Sequence, residues 1–172
     1  DWSSDVCSSD LTDHAMFLGL ALEVGDTTTP FSQYEISKPL HNLNADDNKG
    51  VWSLTKRLSN FASFIPGVLS GIRSGEISED VAIGVTRRAW DDIINAAEQF
   101  NRPGHFTTFV GYEYTSSTDD VGNLHRNVFF RGADKLPAVP FSRLNSQNPE
   151  GLWDWMDTLR EQGIESLAIP HN

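Results

Sequence analysis

An α/β fold is what this 172-residue sequence predicts, and three observations carry the expectation. Stretches with apolar residues at helical spacing alternate with short apolar or β-branched runs, and Pro, Gly and polar residues punctuate them. Residues 78–114 read as helix, short turn and buried strand in direct succession, the cadence of an α/β protein. Metal-ligating side chains recur where the apolar runs give out, the place where parallel α/β folds, barrels above all, gather ligands and catalytic groups.

Residues 1–10, DWSSDVCSSD, carry no apolar periodicity and are expected to be an assembly artefact, so Cys7, the only cysteine, is left out of any chemistry. Residues 11–172 are expected to be a fragment of a single domain. Residues 11–22, LTDHAMFLGLAL, are apolar around Asp13 and His14 and predict a strand ending at Thr12 with a helix behind it. A carboxylate beside an imidazole can be a second ligand or the acceptor that fixes the ring's tautomer. Residues 25–50 are rich in polar, Pro and Gly residues and predict a loop, with His41 solvated inside it.

Residues 51–69 place Trp52, Leu54, Leu58, Phe61, Phe64 and Ile65 at helical spacing, predicting an amphipathic helix that stops at Pro66. Residues 78–100 predict a second helix, with Glu79 and Asp80 in its first turn and Trp90, Ile93, Ile94, Ala97 and Phe100 as its buried stripe. NRPG at 101–104 then turns the chain into a strand over 106–114. On this reading Glu113 stands at that strand's carboxyl end, and His125 opens a second strand after the turn material DDVGN. His105 precedes its strand and should lie on the opposite rim. Pro137, Pro140 and Pro149 break any regular element over 132–149, residues 150–161 predict a helix stopped by Gly163, and 167–169 predict a buried parallel strand that delivers His171.

The composition limits the partners. With 13 Lys and Arg against 24 Asp and Glu, the net charge of -11 argues against a polyanion such as duplex DNA, whose binding needs clustered cations. A small anionic substrate remains compatible if a cation neutralises it. No apolar run approaches the roughly 20 residues that a membrane span needs. Exported and cytosolic locations fit equally, so localisation is not legible.

TDHAMFLG (12–19), FNRPGHFTTFVGYEYTS (100–116), NLHRNVFFRG (123–132), LWDWM (152–156) and LAIPHN (167–172) together resemble the DUF3604 family. That family is related to the PHP (polymerase and histidinol phosphatase) metal-dependent phosphoesterases. The resemblance implies part of a distorted (β/α)7 TIM-like barrel of PHP type with two or three divalent metal ions, Zn, Mn or Fe. The family's Asp-His motif falls on Asp13 and His14, its bridging glutamate on Glu113, and its later single histidines on His125 and His171. Arg126 is a candidate to bind a phosphate oxygen. The first His-x-His and the last Asp-x-His motifs of the family are absent from the sequence, so the isolated fragment is expected to be inactive. The implied function of the longer protein is metal-dependent hydrolysis of small phosphoesters. The alternatives are a degenerate binding or regulatory module and a metal-dependent amide or ester hydrolase.

Overall fold

The structure, a computed structural model, describes residues 12, 14–41, 51–118 and 122–171. Its elements are α1 (Leu20–Gly25), α2 (Val51–Ser74), α3 (Glu79–Phe100), β1 (Gly111–Thr118), β2 (Gly122–Phe130), α4 (Pro149–Glu161) and β3 (Ser166–Pro170), with 3-10 turns at Ala15–Phe17, Phe31–Gln33 and Glu35–Leu40. The protein is mixed α/β, as the helix and strand patterns predict. It divides into two compact units, Asp1–Leu18 with Ala89–Asn172, and Gly19–Arg88.

The sheet corrects the expected parallel arrangement. Among the described residues it is a three-stranded open sheet in the order β1-β2-β3, and both pairings are antiparallel. No barrel closes within these residues. Strands β1 and β2 form a hairpin whose pairing starts at Thr118 and Gly122, a connection far shorter than the dozen or more residues a parallel crossover needs. Strand β3 begins at Ser166, opposite Phe130 at the end of β2. The long connection through α4 therefore leaves and re-enters the sheet at the same end, whereas a parallel crossover must return at the opposite end. A run such as LAI has the same pattern in either direction, and pairing partners set its sense.

Strand β1 is also shifted from the predicted 106–114: pairing with β2 draws the polar residues 115–118 into the sheet. Glu113 is thus the third residue of β1 and His125 the fourth of β2, inside their strands rather than at a carboxyl rim. Among the described residues strand β3 is an edge, where Pro170 removes no needed ladder bond.

Alternation then sorts the side chains. Tyr112 and Tyr114 of β1 and Val128 and Phe130 of β2 are fully buried against Trp90, Leu152, Met156 and Leu159. Each such burial contributes on the order of 1.5–3 kcal/mol. Trp90 meets Tyr112 edge-on at 5.9 Å and 88° and Phe130 at 6.0 Å, and its indole N–H donates to the Pro137 carbonyl at 2.9 Å. The opposite face carries Gly111, Glu113 and Thr115 of β1 beside Phe129, Asn127 and His125 of β2. Helix α4 forms as expected: Asn148 caps it by accepting from the Glu150 N–H at 3.0 Å, Pro149 occupies its first turn, and Gly163 follows with φ 81.

In the unit Gly19–Arg88, helix α2 continues through Pro66 to Ser74 instead of stopping. Phe64 and Val68, on either side of the proline, are both buried, and their burial offsets the roughly 3 kcal/mol that a proline inside a helix costs. Gly67 allows the close approach of Ile36, whose Cδ1 would stand 2.5 Å from an added Cβ. Leu54 and Leu58 of the predicted stripe are exposed, while the side chains of Trp52 and Phe61 lie outside the described residues.

Candidate metal centre

Two long-range pairings assemble the site. An isolated parallel bridge joins His14 to Glu113, and the hairpin register places Thr115 opposite His125 and Glu113 opposite Asn127. His14 precedes the first 3-10 turn in an extended conformation, φ -63 and ψ 118. The Thr12 hydroxyl donates to Asn127 Oδ1 at 2.7 Å, tying this incoming segment to the sheet.

The result is a tight group of donor atoms. His14 Nδ1 lies 3.0 Å from Glu113 Oε1, and His125 Nδ1 contacts the same oxygen. Thr115 Oγ1 is 3.1 Å from each of the two Nδ1 atoms. Glu113 and Thr115 are buried, with 6% exposure each, while the His125 side chain is 16% and the His14 side chain 40% exposed, so the group is closed on the sheet side and reachable past His14. The rings of His14 and His125 are 5.2 Å apart between centroids. Taking one ligand atom from each of His14, Glu113 and His125, all lie within 4.8 Å of one another.

Hydrogen bonding alone serves this group poorly. Each Nδ1 can make one in-plane bond, as donor or as acceptor, yet each faces both Glu113 Oε1 and Thr115 Oγ1. Two imidazole nitrogens and a carboxylate converging in this way match the donor set of a divalent cation. The Asn123 amide stands 2.9 Å from His125 Nε2 and can be read in two orientations. With its N–H donating, the ring proton sits on Nδ1 and faces Glu113. Turned over, its oxygen accepts from Nε2–H and leaves the Nδ1 lone pair open to a cation, the outer-shell arrangement that metal-bound histidines use.

Of the residues singled out from sequence, the structure brings together His14, Glu113 and His125. His171 borders them: its backbone N–H donates to the His125 carbonyl at 3.1 Å and its ring centroid is 6.3 Å from that of His125, but the residue is exposed. Asp13 lies outside the described residues. Arg126 is not brought to the group. It pairs with Tyr114 across the hairpin, on the other face of the sheet, and its guanidinium carbon lies over the Trp153 ring, 5.3 Å from the centroid. Its Nη1 is buried without a hydrogen-bond partner. His41 places Nε2 2.8 Å from the Ser32 carbonyl, while His105 is exposed in the turn before β1.

Thr115, Asn127 and Asn123 escaped the sequence reading. The signal was available as spacing: two residues from Glu113 or His125 along a strand means the same face.

Residues 9–172 match a family described as "Protein of unknown function (DUF3604)". The chain belongs to the DUF3604 family. Neither the curated proteins nor the solved structures contain a match to it. In this DUF3604 chain the family match spans every residue of the candidate centre, from His14 through His171. Among the described residues, no helix is long and apolar enough to cross a membrane.

Proposed function

We propose that this DUF3604 chain is part of a metal-dependent hydrolase of PHP type, acting on phosphoester bonds of small anionic molecules. The observation that carries the reading is the meeting of His14 Nδ1, His125 Nδ1 and Glu113 Oε1 from three separate segments. When bound, a divalent cation lowers the pKa of a coordinated water into the neutral range and offsets charge on a phosphoryl oxygen. His14, Glu113 and His125 would hold it, with Zn, Mn and Fe all compatible with mixed imidazole and carboxylate donors.

The chain's own residues would prepare the site. Glu113 supplies the negative charge that a cation must find in a largely buried place. Asn127, buried at 3% exposure and anchored by the Thr12 hydroxyl, fixes the strand row that contains Glu113. With its amide oxygen turned to Nε2–H, Asn123 would set the His125 tautomer that leaves Nδ1 to the cation. In a chain of net charge -11, the cation would also lessen the local repulsion that an anionic substrate meets. In a barrel of PHP type these donors would form part of a cluster of two or three ions.

Metal analysis of protein purified without chelator tests the proposal. At least about one divalent cation per chain is expected at micromolar protein, together with chelator-sensitive phosphate release from small phosphomonoesters. A metal-free protein that still hydrolyses them would remove the mechanism, and metal-dependent cleavage of anilides or carboxylic esters without phosphoesters would replace the substrate class.

A further inference from the structure

We infer, resting on the metal-site reading above, that Thr115 supplies a fourth donor to the cation through its hydroxyl oxygen. The side chain is buried, points to the same face as Glu113 and His125, and places Oγ1 at 3.1 Å from both His14 Nδ1 and His125 Nδ1. A methyl-bearing, β-branched residue in a strand has few χ1 choices, so the hydroxyl is held there by the backbone rather than by chance. Donors about 2.0–2.1 Å from a metal stand about 2.9 Å apart along an octahedral edge and about 3.3 Å apart along a tetrahedral one. The two 3.1 Å separations fall between these values.

The alternative is a hydroxyl that only hydrogen-bonds the rings. That role is self-limiting once a cation is present, because both Nδ1 lone pairs then face the cation and neither ring has an Nδ1–H to give or a lone pair to share. The oxygen, equidistant from the two nitrogens in the structure, would have its own lone pair left to direct at the same point. Threonine and serine hydroxyls are hard neutral donors of the kind that ligate Mg2+ in phosphate-binding loops. A second oxygen beside Glu113 makes the set two nitrogens and two oxygens, which suits Mn2+ better than a set of two nitrogens and one oxygen does. Zn2+, content with three protein donors and a water, gains less.

The test is calorimetric titration of the metal-depleted protein with Mn2+ and with Zn2+, in wild type, Thr115→Val, Thr115→Ala, Thr115→Ser and Glu113→Gln, each first shown to keep its far-UV circular dichroism. The expected result is a loss of Mn2+ affinity of about tenfold or more in the valine and alanine variants, a smaller loss for Zn2+, and near wild-type binding in the serine variant. The visible absorption of the Co2+-loaded protein, which reports the donor set, should change with valine and return with serine. Wild-type Mn2+ affinity in Thr115→Val and Thr115→Ala, while Glu113→Gln binds poorly, would overturn the role of Thr115 and leave the metal site standing. A serine variant as weak as valine would overturn it too. Absence of Mn2+ and Zn2+ binding in wild type would overturn both readings together.

Discussion

His14 and Thr115 stand 101 residues apart in sequence and 3.1 Å apart in space. The contact exists because an isolated parallel bridge lays the His14 segment along β1 at Glu113, which brings the ring within reach of the next residue on the same face. Everything the candidate centre can do follows from that pairing together with the β1–β2 register.

Removing one ligand should therefore act on metal and chemistry at once. Glu113→Gln and His125→Ala are each expected to lower metal affinity by at least about tenfold and to lower hydrolysis in parallel, measured by metal content and phosphate release. His41→Ala and His105→Ala should leave metal stoichiometry alone, since one ring faces the Ser32 carbonyl and the other residue is exposed.

His171 and Arg126 are expected to separate from the ligands. His171→Ala should cost less metal affinity than His125→Ala, because the residue is exposed and its ring is 6.3 Å from that of His125. Arg126→Ala should lower thermal stability through the lost stack on Trp153, worth about 0.5–2 kcal/mol, with metal content unchanged. A large metal deficit in the arginine variant would place its guanidinium at the centre after all.

At Gly111 of the hairpin no side chain fits. A Cβ on Gly111 would meet Phe129 Cδ1 at 2.7 Å and the Val128 carbonyl at 2.9 Å. A ring can swing aside, but a paired strand's backbone cannot. Gly111→Ala should destabilise by about 1–3 kcal/mol in urea unfolding, and by loosening the register that sets Glu113 against His125 it should also weaken metal binding.

Alkaline pH should reveal the tyrosine core. Burial pushes the Tyr112 phenol well above its usual range, and Tyr114, whose hydroxyl donates to the Ser146 carbonyl at 2.8 Å, is raised for the same reason. A raised pKa means that the fold keeps the phenol neutral while the unfolded chain ionises above about 10. That contribution is complete below this pH and is lost as pH rises beyond it. Tyr112→Phe should therefore flatten the decline of stability between about pH 9.5 and 11, read by urea titration. An unchanged slope would mean that Tyr112 does not titrate on unfolding in that range.

Much of the local structure was legible along the chain. Helix α3 and helix α4 begin and end where helical spacing, the NRPG turn and Gly163 place them, because each depends on residues within a turn or two. Pro66 misled: a proline's cost is local, while the burial of Phe64 and Val68 that offsets it is tertiary. The two tyrosines and Trp90 could be assigned to a core from their apolar setting. Glu113, His125 and His14 could be named as candidate ligands from residue type, strand position and family resemblance, but so was His171, which the structure leaves exposed at the border of the group.

The sequence by itself determined the mixed helix and strand content and the DUF3604 membership, and it pointed to the candidate metal-binding groups, since these reside in residue type, short-range spacing and motif order. Only the tertiary structure decided that β3 runs antiparallel to β2, that Arg126 turns to Trp153 while His125 turns to Glu113, and that Thr115 joins the two histidines. Strand direction and register are fixed by hydrogen bonds between segments distant along the chain, and a shift of one residue in either would exchange the two faces of the sheet.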